Sequence, residues 1–473
     1  MDSFFKWFLL AFLQYMACLK AVDAQFPRPC TTVEALQTRT CCPLWNGSPC
    51  GFSSGRGVCA PHPARDLPKP IDYRVNWPRA FYDSVCTCWG NYDGFDCSQC
   101  LPGWRGPQCL QRHHVEKKEI TDLTDSERET FLSNLHTAKD VQSDRYMILK
   151  SNDTTVDRNY EFQNTSVYNL YVWMHYYSAK SYAGSGNNAA HRGPAFVFWH
   201  RVFLLFIERE IRDLTGNQDF YIPYWDWTRT DNCNICTNKY FGGVRQDGRI
   251  DSASRFSQWK TICPFQESLG IICLNTNASE AAHLIRNPGK DPVFKTLPTA
   301  ADVKDAMASQ LFDTPPYDTT SKNSFRNKLE GFEIPSDSRR LNSSMHNLVH
   351  RYLNGTMSLV PTAANDPIFM LHHSFIDNFI YVAPNSTKLF LGTSTEKIQH
   401  MNNHKQLWKE TKLPFEWKKP LQNQAQGWWL SAALVGVRGY EERREQDKQI
   451  DSLRQKKKER ARETSSKTKR DNG

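Results

Sequence analysis

Four stretches of the chain place apolar residues at helical spacing. They are YVWMHYY at 171–177, FVFWHRVFLLFIEREI from 196, SMHNLVHRYL from 344 and PIFMLHHSFID from 367. Apolar side chains recurring every three to four residues predict helices with a wide buried face. Upstream, Thr124-Asp125-Ser126 before ERETFLSNL predicts a helix start, with Ser or Asp as the cap. The segments from about 140 to 164 and from 228 to 318 are polar and predict irregular chain, apart from one short helix near 300–311. Alternation with a period of two is scarce. The pattern predicts a mainly α fold, a helical bundle with long irregular connections.

Histidine changes this picture, because six of the 14 fall within or beside those apolar stretches in two groups of three. His175, His191 and His200 form the first group, and His346, His350 and His373 the second. His346 and His350 are four apart, so on a helix their rings share one face. His191 sits beside Arg-Gly-Pro and belongs on a loop or just ahead of the next helix. Three neutral imidazoles hold a transition metal and leave a coordination position open. Four helices donating ligands inward is how bundles build dinuclear sites, and two such sites face to face can bind one small molecule. With no Cys or Met at ligand spacing and few carboxylates nearby, the donor set suits copper, zinc or nickel and excludes magnesium, calcium or an iron–carboxylate centre. Ordinary structural histidines are the competing reading. His400 and His404 show how it arises, sharing the i, i+4 spacing within polar IQHMNNHKQ, with no third partner. It accounts poorly for two triplets in matching contexts. No P-loop, dinucleotide fingerprint or Ser-His-Asp pattern is present.

The runs HRGPAFVFWHRVFLLFIE, YIPYWDW, MHNLVHRYLNGTM and ANDPIFMLHHSFID resemble the tyrosinase family of chordates, over about 25–377. The resemblance implies a tyrosinase-like helical bundle around two copper ions, with His175, His191 and His200 holding copper A and His346, His350 and His373 copper B. His372 adjoins the last ligand and takes a structural or supporting role. The implied activity is hydroxylation of monophenols such as L-tyrosine and oxidation of o-diphenols such as L-DOPA to o-quinones, with dioxygen, in melanin synthesis. The implied catalytic pair is Glu330 and Asn347, holding a water that takes the phenol proton, a step required because a phenol has a pKa near 10; a helix-surface carboxylate is the other reading of Glu330. Phe332 and Phe369 pack against ligand rings or belong to the core, and Asp377 orients a ligand or pairs with Arg201. The alternative function is a tyrosinase-related zinc protein of the dopachrome tautomerase kind, to which QFPRPCTTVEAL and LFDTPPYDTTSKNSFRN lean. Zinc has no redox chemistry and would not activate dioxygen. A third class is a dioxygen carrier or inert secreted binding protein, which would need no proton-accepting pair.

Cysteine and charge set the compartment and partners. MDSFFKWFLLAFLQYMACLKAVDA reads as a signal peptide over 1–24, since Lys20 and Asp23 close its apolar run too early for a retained anchor. Its removal takes Cys18 from the 15 cysteines and leaves an even number, the mark of disulfides in a secreted protein. Ten lie between Cys30 and Cys109, defining a Cys-rich EGF-like domain over 25–111, ahead of the dinuclear copper domain over 112–385. Pairing of sequence neighbours gives Cys88–Cys97 and Cys100–Cys109. The family resemblance implies Cys30–Cys41, Cys42–Cys59 and Cys50–Cys86, and sequence alone leaves connectivity open. Cys233 and Cys236 read as a structural bridge, and Cys263 with Cys273 closes the set. Seven glycosylation sequons, at Asn46, Asn152, Asn164, Asn277, Asn342, Asn354 and Asn385, fit a luminal protein, with the Asn354 loop exposed at its tip. Of the net charge of +9, much comes from the tail from Arg438 onward, with 13 Lys/Arg against 8 Asp/Glu, so nucleic acid is not an expected partner. The match fades after Asp377, and 386–473 forms a divergent basic tail. Its apolar run WWLSAALVGV at 428–437 is about half the ~20 residues a membrane span needs, which leaves anchoring open, as is the oligomeric state. The expected route is the secretory pathway to the melanosome, lumen or membrane, or outright secretion if no anchor is present.

Overall fold

The computed structural model describes residues 25–62, 81–150, 161–179, 190–263, 282–334 and 343–382, all within one compact unit. The signal segment, Cys18, Cys273, the sequons at Asn152, Asn277, Asn342 and Asn385, the pair His400 and His404, and the tail with its apolar run lie outside the described residues.

Helix α1 (Val33–Thr38) belongs to the Cys-rich region, and among the described residues seven helices follow: α2 (Asp125–Asp140), α3 (Val167–Ser178), α4 (Phe196–Thr215), α5 (Ala300–Ala308), α6 (Phe325–Glu330), α7 (Met345–Leu353) and α8 (Ile368–Val382). The mainly α expectation therefore holds. Helix α2 is capped by Thr124 rather than by Asp125 or Ser126: the Thr124 hydroxyl accepts from the Glu127 N–H, and the Glu127 carboxylate accepts from the Thr124 N–H. This reciprocal pairing requires a hydroxyl three residues before a Glu, a spacing that Thr124–Glu127 and Ser126–Glu129 both offer; the helix begins at Asp125, which makes Thr124 the cap. Helix α4 buries Phe196, Trp199, His200, Phe203, Leu204, Ile207 and Ile211 along one stripe and ends at left-handed Gly216 (φ 71°). Helices α3 and α8 are apolar on almost every side and run through the interior. Each fully buried Phe, Ile, Leu or Met of α8 contributes about 1.5–3 kcal/mol of transfer free energy.

The stretch expected to be polar loop between 140 and 164 differs. Strands Tyr146–Lys150 and Glu161–Gln163 pair antiparallel, and Gln25–Pro27 adds to the other edge of Tyr146–Lys150. The partner strand comes from more than 100 residues away, so no local pattern announces it. Phe26, Cys30, Cys41, Phe81, Tyr82 and Leu149 form a buried cluster at this junction, which fastens the Cys-rich region to the helical one.

The Cys-rich region consists of short strands with little core of its own, among them the sheet Thr40–Cys41, Ser84–Cys88 and Gly57–Pro61. Disulfides Cys30–Cys41, Cys42–Cys59, Cys50–Cys86, Cys88–Cys97 and Cys100–Cys109 hold it, and Cys233–Cys236 closes its own turn, each as expected. Cys263 is also disulfide-bonded. The region docks on α4 through Gln99, whose amide donates to Glu210 (2.9 Å) and Asp213 (2.7 Å), and through the ion pair Arg209–Asp93 (2.5 Å). The loop that begins at Asn354 is exposed at Leu359 and Val360, with Asn354 at its base. Asn354 is half-buried, and its side-chain oxygen accepts from the Gly355 N–H at 2.7 Å. No described helix is long and apolar enough to cross a membrane.

Candidate metal centre

Helix α3 carries His175 and α4 carries His200, while His191 stands in the bend just before α4. Their ring centroids lie 5.2 Å (175–191), 5.0 Å (191–200) and 5.7 Å (175–200) apart. Helix α7 presents His346 and His350 one turn apart, at 4.5 Å, and α8 brings His373 to 4.8 Å from His346 and 5.7 Å from His350. Within each group the candidate ligand nitrogens lie within 4.8 Å of one another. The groups also meet: His200 and His373 stack at 3.9 Å with their planes 12° apart. Both predicted triads therefore converge, on each other as well as internally.

The hydrogen bonds turn lone pairs inward. Nδ1 of His200 donates to the Phe196 carbonyl (2.8 Å), and Nδ1 of His350 to the Met357 carbonyl (2.9 Å). Nδ1 of His346 donates to the Asn347 side-chain oxygen (3.0 Å), with the Glu330 carbonyl at 3.3 Å. A carbonyl can only accept, so Nδ1 carries the proton and Nε2 is left with its lone pair, the arrangement that second partners impose on metal-binding histidines. Nε2 of His175, His200 and His350 are buried with no hydrogen-bond partner. Burial lowers the pKa of all six rings and holds them neutral, to about 3 at His200 and about 4 at His350, and neighbouring imidazoles add to the lowering at each ring except His350. Nε2 of His346 and of His373 are 3.2 Å apart. Two nitrogens bound tetrahedrally to one ion at ~2.1 Å lie about 3.4 Å apart. Buried, neutral, inward-facing imidazoles at this spacing fit a copper or zinc ion in each triad.

His372 lies in the second cluster, stacked on His346 at 5.0 Å, yet its chemistry sets it apart. The Trp227 indole N–H donates to its Nδ1 at 3.2 Å. An indole is a donor only, so Nε2 of His372 carries the proton and offers no lone pair. The third apparent cluster, Cys42, Cys50 and Cys86, consists of disulfide sulfurs.

A family model described as the common central domain of tyrosinase matches residues 165–382, which span both triads. The chain is 40% identical over 380 residues to a tyrosinase of Oryzias latipes, covering 75% of this chain and 70% of that protein. It is 39% identical over 396 residues to a tyrosinase of Pelophylax lessonae, covering 78% and 74%. The chain belongs to the tyrosinase family. It is also 38% identical over 389 residues to a 5,6-dihydroxyindole-2-carboxylic acid oxidase of Ambystoma mexicanum, covering 75% and 72%. Among solved structures it is similar to a copper-bound Aspergillus oryzae tyrosinase mutant, with a TM-score of 0.34 and 15% identity over 64% of this chain and 87% of that one.

Around this tyrosinase-family centre two phenylalanines wall the triads. Phe369 packs against His373 (4.2 Å) and His175 (4.7 Å), as expected, and Phe196 against His346 (4.7 Å) and His200 (5.1 Å). Phe196 was not singled out by sequence, where it resembles any other apolar position of its helix. Phe332 is half-buried just beyond α6. Asp377 is buried and faces Arg201 at 3.6 Å. Glu330 is 1% exposed rather than a helix-surface carboxylate, and burial pushes its carboxyl up to about 7 against the opposing pull of Arg326. Glu330 and Asn347 approach the same atom, Nδ1 of His346, the first by its carbonyl and the second by its side chain. Gly331 makes this approach possible. Its φ is 102°, and a Cβ there would lie 2.1 Å from the Ser344 carbonyl oxygen. Arg326 and Arg192, which hold the Glu330 carboxylate, are ordinary basic residues in sequence; the one available signal is the i, i+4 spacing of Arg326 and Glu330.

Proposed function

We propose that this chain is a copper monooxygenase and oxidase that hydroxylates monophenols of the L-tyrosine type and oxidises o-diphenols of the L-DOPA type to o-quinones with dioxygen. The observation that carries the reading is the face-to-face stack of His200 on His373, which sets the two imidazole triads close enough to act on one small molecule. His175, His191 and His200 would hold one copper ion and His346, His350 and His373 the other. Bound copper would supply the electron exchange with dioxygen and with the phenolic ring. The polypeptide supplies geometry and proton transfer. Phe196 and Phe369 line the inner walls with apolar surface and pack against the rings they touch. The Phe196, Met357 and Asn347 acceptors hold three imidazoles with Nε2 inward. Glu330, with a carboxyl poised near 7, is suited to accept the phenol proton, since a base works best when its pKa lies near the working pH. Each of its oxygens has one protein donor and a second lone pair to spare.

The second reading, a zinc protein acting later on dopachrome, rests on a donor set that zinc would also accept. Metal analysis of purified protein with L-tyrosine and L-DOPA assays decides between them. Two coppers per chain with quinone formation support the first reading; zinc with dopachrome conversion overturns it. We further propose transit through the secretory pathway to the melanosome, which the disulfide-stapled Cys-rich region supports because such bridges form in oxidising compartments.

A further inference from the structure

Glu330 reaches both halves of the centre with different parts of itself. Oε1 of its carboxylate accepts from the main-chain N–H of Arg192 at 2.6 Å, the residue directly after His191. Its main-chain carbonyl lies 3.3 Å from Nδ1 of His346. Arg192 has a φ of 64°, in the left-handed region, which a residue other than glycine occupies at a cost of about 1 kcal/mol or more unless its surroundings hold it there. The Arg192 side chain is exposed, so it contributes little to fixing this turn. The amide it presents inward is the group that is gripped.

The carboxylate is itself aimed. Arg326 is fully buried and grips Asp313 through Nε (2.9 Å) and Nη2 (3.1 Å), with the Asp318 carbonyl on Nη2 at 2.8 Å. Its Nη1 donates to the Asn327 side-chain oxygen (3.0 Å) and to Oε2 of Glu330 (3.1 Å). One guanidinium thus faces two buried carboxylates. Asp313 takes the bidentate contact, and Glu330 completes its hydrogen bonding with the Arg192 N–H. A charge-assisted bond of this kind is among the stronger ones available in a protein interior.

We propose that Glu330 is a positioning residue tying the two ligand triads together, its side chain holding the His191 turn in place and its carbonyl orienting His346. This goes beyond the proton-accepting role and rests on the functional reading only in taking the six histidines as ligands. Amide hydrogen exchange of metal-free protein across residues 190–195, together with copper content after loading with cuprous ion, tests it. Glu330→Ala is expected to speed exchange of the Arg192 amide about tenfold or more and to reduce copper from about two ions per chain to about one, since loss of a ligand's supporting partner weakens metal binding about 10–100-fold. Glu330→Gln keeps an acceptor oxygen at the same reach and is expected to stay near the unsubstituted protein in both measurements, while losing monophenol turnover. Should Glu330→Ala not fold, Glu330→Asp replaces it: the carboxylate is retained but falls one methylene short, and local exchange rises. Unchanged exchange and copper content in the Ala or Asp variant would overturn the proposal, as would Gln behaving like Ala. The exchange measurement needs no metal, so a protein found to hold zinc would sink the functional reading and leave this one standing.

Discussion

At the scale of the residue, the centre works by fixing which nitrogen of each imidazole carries the proton. Carbonyl acceptors on Nδ1 free Nε2 in His200 and His350, whereas the Trp227 indole does the reverse to His372. Neighbours in sequence, His372 and His373, therefore differ in chemistry because one of them meets a donor. His350→Ala removes one inward lone pair from the second triad. Copper content is expected to fall from about two to about one per chain and L-DOPA oxidation to background, with the disulfides intact by mass spectrometry. Quinone formation by that variant would show the second site to be misassigned. The six histidines of the proposed site were legible from their spacing and apolar setting, because metal-binding imidazoles need helical registers and dry surroundings. Arg326, Arg192 and Phe196 were not, since their roles consist of contacts to residues distant in sequence.

At the scale of the element, capping fixes where a helix begins. The Thr124–Glu127 box starts α2, and the Glu127 carboxylate also pairs with Lys118 at 2.5 Å. Thr124→Ala is expected to cost about 1 kcal/mol in chemical denaturation. The Lys118 ammonium and the Thr124 N–H and hydroxyl together hold the Glu127 carboxyl at about 2, below its ordinary 4.5. A pKa lowered on folding means that the unfolded chain binds the proton more readily. The contribution is thus present above about 4.5 and lost as pH falls through about 2. Glu127→Gln is expected to flatten the stability–pH curve in that window; an unchanged slope would show that Glu127 carries no such load. This cap was readable as a site, but the choice of Thr124 over its neighbours was decided by where the helix axis lies. The strands at 146–150 and 161–163 pair with each other in a stretch that reads as polar chain, and the third strand of their sheet, Gln25–Pro27, arrives from the other end of the chain.

At the scale of the whole molecule, buried ion pairs fasten distant segments around the helices that carry the clustered histidines. Arg286 and Asp366 are both fully buried, 2.5 Å apart, and Asp366 also accepts from the Ile368 N–H at the start of α8, one and a half turns before His373. Arg286→Ala leaves Asp366 as an uncompensated buried charge and is expected to cost about 3–5 kcal/mol. The double variant Arg286→Met with Asp366→Leu should recover much of that loss in thermal melts, and no recovery would mean that the pair does more than neutralise itself. By itself the sequence determined the helical class, the six imidazoles and the need for disulfides, because these follow from periodicity, residue chemistry and cysteine count, all local or countable. Tertiary structure alone decided that the triads face each other, that His372 is turned away from ligation and that Glu330 spans both halves. Those outcomes depend on which donors and acceptors the folded chain brings within about 3 Å, and no spacing along a sequence encodes a distance across a core.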